Sequence, residues 1–160
     1  MDALETRSAD FAGAEAVFVT LGTTRAAAGT AAEYRRVDVG FVDKAAAAAK
    51  AASCPQFLLL TSKGANANVW HSDAKLFHSL FYLHVKGAAE AAAAAHGFPH
   101  FCAFLPGMLD RGAVPARSWG EALAARVLPS THVADVARAM IDAAKRNAGK
   151  PAAPTAVYEL

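Results

Sequence analysis

Three short runs in this 160-residue chain are apolar at nearly every position: Ala16–Leu21 (AVFVTL), Gln56–Thr61 (QFLLLT) and His100–Leu105 (HFCAFL). None alternates apolar with polar, so each reads as a strand buried on both faces rather than one with a wet side. Gly22 closes the first run and Pro106–Gly107 the third, and the stretches between them have helical character. Ala31–Ala52 follows a candidate N-cap, Thr30, and cannot continue past Pro55. Ala74–His96 ends at Gly97, a good residue for the left-handed turn after a helix. Ser118–Val127 reads as a short helix, and Thr131–Asn147 as a helix with Thr131 at its cap and basic residues in its last turn. The terminal TAVYEL adds a candidate strand. Continuous apolar strands alternating with helices mean parallel strands covered on both faces, an α/β Rossmann-like doubly wound sheet in one domain over residues 1–160.

Composition narrows the class. With 54% hydrophobic and 19% charged residues the chain belongs with folded globular proteins. A net charge of +2, with its basic residues scattered, gives no footprint for nucleic acid. No apolar run reaches the ~20 residues needed to span a bilayer, and MDALETRSADFAG has no secretory h-region, so a cytoplasmic location is expected. Cys54 and Cys102 lack Cys-x-x-Cys spacing and read as buried, reduced thiols. The alanine tracts lie inside helical patterns and serve as helix filler, alanine being the best helix former. His71, His78 and His84 are spaced seven and six apart, which does not place all three on one helical face, and no metal site is expected.

In doubly wound sheets ligands bind beyond the carboxyl ends of the strands. Here those ends carry GTTR, then SKG, then PGMLDR. The helix after the second strand carries FYLHVKG, in which Tyr82 and Lys86 are four apart and therefore neighbours on one face. An ammonium beside a phenol favours the phenolate, so a tyrosine placed this way can give a proton to a carbonyl oxygen or take one from an alcohol. Ser62, just past the second strand, could hold the same oxygen. The hydride itself would need a nicotinamide, since no side chain supplies one. Taken alone, the pair is also what an aromatic stripe and a chance lysine would give.

LGTTRAAAG, LLLTSKGANAN, FYLHVKGAAE, LPGMLDR and THVADVARAM together resemble the atypical short-chain dehydrogenase/reductases of the HIV Tat-interacting oxidoreductase type. The resemblance implies that Tyr82 is the proton donor and acceptor, that Lys86 also bonds the nicotinamide ribose, and that Ser62 orients the substrate oxygen. It implies a cofactor turn at Leu21, Gly22 and Thr23, further contacts near Leu109 and Arg117, and NADPH rather than NAD. It also implies a small carbonyl or alcohol substrate, and the fungal relatives suggest peripheral attachment to an organelle membrane. A non-catalytic NAD(P)-binding regulatory or scaffold protein is the alternative.

Two departures from the pattern carry expectations of their own. Family members reach LGTTR only after a strand, a G-x-x-G-x-x-G turn and a helix, whereas here LGTTR stands at 21–25. The expectation is an N-terminally truncated chain in which Ala16–Leu21 forms a sheet edge open to pairing with another chain, so that a homo-oligomer is possible. The segment NVWHSDAKLFHSL between Ser62 and Tyr82 is longer than usual, which leaves open whether Ser62, Ser72 or Ser79 faces Tyr82. The charges Asp73, Lys75, Glu33, Arg35 and Arg36 are expected on solvated faces. Asp135 is expected to cap or pair near its helix start, and Trp70 and Trp119 to pack in the core by default, with a substrate or dimer surface as the alternative.

Overall fold

A computed structural model describes residues 4–74, 78–110, 130–153 and 155–160. Four parallel strands form the main sheet in the order β1 (Val17–Val19), β2 (Gln56–Leu60), β3 (His100–Leu105) and β6 (Ala156–Glu159). A second, two-stranded parallel ribbon pairs β4 (Met108–Asp110) with β5 (Ser130–His132). The helices are α1 (Arg25–Ala28), α2 (Ala31–Arg35), α3 (Phe41–Ala51), α4 (His78–Ala95) and α5 (Val133–Asn147). The parallel α/β architecture expected from the three apolar runs is present.

Alternation along the central strands assigns the two cores. Phe57 and Leu59 of β2, with Phe101, Ala103 and Leu105 of β3, face α3 and α4. Leu58, Cys102 and Phe104 face Val136, Met140 and Ala143 of α5. The register pairs Leu58 with Cys102 and Leu59 with Ala103, so each face presents one continuous apolar row. The alanine tracts do more than fill helices. Ala45, Ala46, Ala48 and Ala49 of α3, and Ala89 and Ala93 of α4, are buried. Their small side chains let both helices sit close to the sheet. Cys54 and Cys102 are buried and free, and Gly97 takes the left-handed φ of +64° expected after α4.

Several expectations are corrected. The helix expected over Ala31–Ala52 is broken: α2 ends at Arg35, and a wider π-type turn, Arg36–Gly40, precedes α3. Such turns insert an extra residue and re-aim the side chains within them. The last helix is capped by His132, one residue later than expected: α5 starts at Val133, and the His132 Nδ1 accepts the Ala134 N–H. Trp70 is 63% exposed and does not pack in the core. Asp73, Glu33, Arg35 and Arg36 do lie on solvated faces, where Arg35 pairs with Asp73 across elements and Glu33 with Arg36, and Asp135 pairs with Arg138 near its helix start. Lys75, Arg117, Trp119 and the helix expected over Ser118–Val127 lie outside the described residues. β1 stands at one edge of the sheet, with Phe18 exposed.

Candidate active site

A cavity of about 320 Å³ opens at the carboxyl ends of β1 and β2, within the ~300–1,000 Å³ range of small-ligand clefts. One wall is the turn Leu21–Gly22–Thr23 that follows β1. The opposite wall is α4, which contributes Tyr82, Lys86 and His78, and Thr61 and Leu109 close the floor. Of the residues singled out from sequence, Leu21, Gly22, Thr23, Tyr82, Lys86 and Leu109 therefore share one cavity.

Lys86 is placed by a partner that the sequence reading did not select. Its Nζ donates to Asp38 Oδ1 at 2.8 Å, and Asp38 Oδ2 accepts the Thr23 N–H at 2.8 Å. Asp38 is 1% exposed and Lys86 9%. The π-type turn delivers this carboxylate into the interior, where it ties the turn after β1 to the middle of α4. Lys86 Nζ lies 5.9 Å from the centre of the Tyr82 ring. Gly22 passes over the pair: a Cβ there would come within 3.3 Å of both Asp38 Oδ1 and Lys86 Nζ.

Tyr34 of α2 also reaches the cavity, packed edge-on against Phe81 at 5.5 Å between ring centres. Burial, with Asp38 and Tyr82 adding to it, pushes the Tyr34 phenol above the ordinary tyrosine range, so it stays protonated as a donor. His78 is held below its ordinary value by burial and by Arg25, which keeps its imidazole neutral at neutral pH. Arg25 lies along the wall with its guanidinium 4.9 Å from the centre of the Phe81 ring. Its Nη2 donates to the Asp73 carbonyl at 2.6 Å, whereas its buried Nε and Nη1 bond nothing among the described residues.

The three serines separate. The Ser62 hydroxyl donates to the Lys63 carbonyl at 3.4 Å, and Ser62 is not among the residues lining the cavity. Ser72 Oγ accepts the Ala74 N–H. Ser79 lines a neighbouring cavity of about 450 Å³ that shares His78 and Tyr82 with the first. Thr61, the neighbour of Ser62, does line the first cavity, with Thr20, Thr23 and Thr24; its hydroxyl donates to Glu90 Oε1 and accepts the Ser62 N–H at 2.6 Å. The long segment before α4 is docked on that helix: the Asn66 N–H bonds the Leu83 carbonyl at 3.0 Å, and the His71 ring stacks on His84 at 3.6 Å.

Asp38, Tyr34, Arg25, Thr61 and Glu90 were missed by sequence reasoning. One signal was available for Glu90, which stands four residues after Lys86 on the same helical face. Nothing local marks Asp38, whose burial depends on the π-type turn.

The family model described as NAD(P)H-binding matches residues 2–147. The chain belongs to that NAD(P)H-binding family. Within it the chain is an atypical short-chain dehydrogenase/reductase of the HTATIP2 type. It is 40% identical over 99 residues to rat HTATIP2, covering 62% of this chain and 37% of that protein. It is 42% identical over 94 residues to the mitochondrial protein FMP52-1 of Scheffersomyces stipitis, covering 59% of this chain and 38% of that one. The chain thus spans less than half the length of these relatives. Among solved structures, MoeE5 in complex with UDP-glucose and NAD superposes with a TM-score of 0.69 at 18% identity, over 96% of this chain and 58% of MoeE5. RMD from Pseudomonas aeruginosa complexed with NADPH gives 0.61 at 16% identity, over 91% and 60%. At these identities the likeness establishes the Rossmann-like fold of the NAD(P)H-binding family member and nothing finer. Among the described residues no helix is long and apolar enough to cross a membrane, and no group of three His, Cys, Asp or Glu is arranged to hold a metal ion.

Proposed function

We propose that this protein is an NAD(P)H-dependent oxidoreductase that interconverts a small carbonyl compound and its alcohol, with Tyr82 as acid/base. The observation that carries the reading is that Tyr82 and Lys86 line one cavity with the Leu21–Thr23 turn, Lys86 being anchored by a buried carboxylate. The lining suits one end of a nicotinamide dinucleotide: at Gly22 the backbone borders the cavity with no side chain, and the Arg25 guanidinium lies along the same wall as a cation for an anionic group. Leu21, Gly22, Thr23, Lys86 and Leu109 would hold it, with Arg117 by resemblance. When bound, the cofactor supplies or accepts the hydride that no side chain can provide.

The remaining steps belong to the chain. Tyr82 holds a proton at its phenolic oxygen and passes it to the substrate oxygen as negative charge develops there. The Lys86 ammonium stabilises negative charge left on that phenolic oxygen, and Asp38 keeps the ammonium from turning away. NADPH is favoured over NAD by the resemblance of the turn and of Leu109, and parallel titrations with both cofactors decide it. The location is proposed as cytoplasmic, with peripheral attachment to an organelle membrane by likeness to relatives named mitochondrial; cell fractionation tests this.

Tyr82→Phe is the direct test. Turnover of carbonyl compounds with NADPH should disappear while cofactor binding stays largely intact, and a phenylalanine variant that turns over at the wild-type rate would end the mechanism. Retained NADPH binding with no turnover of any carbonyl by the unaltered chain would favour the non-catalytic regulatory reading instead.

A further inference from the structure

Behind the cavity, buried Thr61 and half-buried Glu90 form a second polar pair. Thr61 closes the end of β2, is 6% exposed and lines the cavity. Its Oγ1 donates its hydrogen to Glu90 Oε1 and accepts the Ser62 N–H at 2.6 Å, which leaves one lone pair. Glu90 lies one helical turn beyond Lys86, and its other side borders a separate cavity of about 280 Å³ between α4 and the segment Ala65–Ala67.

A hydroxyl carries one hydrogen and two lone pairs. While Glu90 is a carboxylate it can only accept, so the Thr61 hydrogen is committed to it and the cavity sees only a lone pair. A protonated Glu90 has an O–H to donate. It can give that hydrogen to Thr61 Oγ1, whose two lone pairs then accept from Glu90 and from the Ser62 N–H, and the Thr61 hydrogen is released toward the cavity. One proton is added to the carboxyl group from solvent, and no bond between heavy atoms forms or breaks.

We propose that Thr61 is the residue that orients the substrate's carbonyl oxygen beside Tyr82, and that Glu90 switches it between an idle acceptor and a working donor. This rests on the oxidoreductase reading above. A carbonyl oxygen accepts hydrogen bonds only, so it gains nothing from a lone pair and gains a second anchor from a free O–H. Burial pushes the Glu90 carboxyl up from its ordinary value, opposed by the Thr61 hydrogen bond and by the Lys86 charge. Lys86 is the charged group acting on Glu90, and Asp38 holds it from the far side. Among the described residues the second cavity contributes no other ionisable side chain: Asn66, Gly87, Phe101 and Thr155 are typical of its lining. Lys63 and Glu159, the nearest charges in sequence on the flanking loop and β6, lie 3.8 Å from each other.

The test is the reduction of 4-nitrobenzaldehyde by NADPH, followed as kcat/KM against pH, together with ¹³C NMR titration of the Glu90 carboxyl in the full chain. In the wild type kcat/KM should fall as pH rises through the Glu90 titration. Glu90→Gln can donate from its amide at every pH. It should therefore hold the low-pH rate to high pH and lose that inflection, an outcome that a merely structural role would not produce. Thr61→Val should lower kcat/KM by roughly tenfold at low pH, the equivalent of one hydrogen bond, and Thr61→Ser should restore it. A glutamine variant with the wild-type profile, or a valine variant with the wild-type rate, overturns the proposal. If the unaltered chain reduces no aldehyde, the oxidoreductase reading has failed, and NMR still decides the switch. Thr61 side-chain shifts that follow the Glu90 titration support it, and flat ones overturn it.

Discussion

Lys86 Nζ lies 2.8 Å from Asp38 Oδ1 in the interior, and the second oxygen of the same carboxylate holds the backbone of Thr23. One buried ion pair thereby joins three elements: the turn after β1, the π-type turn before α3, and α4. The consequence for function is positional. A lysine on a four-carbon stem is mobile, and the carboxylate fixes which way its ammonium points. Asp38→Asn should destabilise the protein by about 3–5 kcal/mol, the usual cost of leaving one partner of a buried pair uncompensated. Lys86→Met added to Asp38→Asn should recover part of that loss. Strictly additive losses in chemical denaturation would mean that the two residues are not coupled.

Gly87 on α4 lies directly under the segment before the helix. A Cβ there would stand 2.2 Å from Ala67 N and 2.4 Å from Asn66 C, closer than any real contact. Gly87→Ala should therefore push residues 65–68 off the helix at a cost of roughly 1–3 kcal/mol. Hydrogen exchange should rise at Asn66, whose N–H now bonds the Leu83 carbonyl. Unchanged protection at Asn66 would contradict the packing described.

Glu90 gives stability a defined pH dependence. Its carboxyl is raised above the ordinary 4.5, first by burial, so the folded chain holds this proton more tightly than the unfolded chain does. That contribution is complete below about 4.5 and is lost as pH rises through the folded-state value. Glu90→Gln should remove this component, so that the difference in melting temperature between variant and wild type grows in the variant's favour as pH rises through the window. A constant difference across it would refute the assignment.

The docked segment should loosen in acid, for the opposite sign. Burial, the neighbouring His71 and Arg35 hold His84 below 6.5, against a backbone hydrogen bond at Ala67 that raises it. Asp73 is held below 3.8, chiefly by its hydrogen bond from Arg35. Both values are depressed in the folded chain, so their contributions are present at neutral pH and lost as pH falls, His84 first and Asp73 second. Hydrogen exchange at residues 65–73 should accelerate below about pH 6.5 while β2 and β3 stay protected. His84→Phe, which keeps a ring against His71, should delay that onset to lower pH; an onset unmoved by the substitution would rule out His84.

What the sequence by itself determined was the part of the molecule governed by local pattern. Three runs apolar at nearly every position read as strands covered on both faces, and the helices between them made the sheet parallel. The four-residue spacing of Tyr82 and Lys86 put both on one face of α4 whatever that helix packed against. The stretch Leu21–Gly22–Thr23 was bound to follow a strand and so to stand at the ligand end of the sheet. Tertiary structure decided which polar groups meet inside. Asp38 looked like one more residue in a helix that ran unbroken to Ala52. Only the π-type turn, held where α2 and α3 pack against α4, turns it inward to Lys86 and Thr23. Thr61 read as the last residue of a strand beside the more conspicuous Ser62. It lines the cavity, and its hydroxyl meets Glu90, because β2 ends against the second turn of α4 beyond Tyr82. Periodicity reports which face of an element is buried. Which buried polar atom bonds which depends on how elements distant in sequence settle against one another, a balance of desolvation against pairing that no single stretch contains.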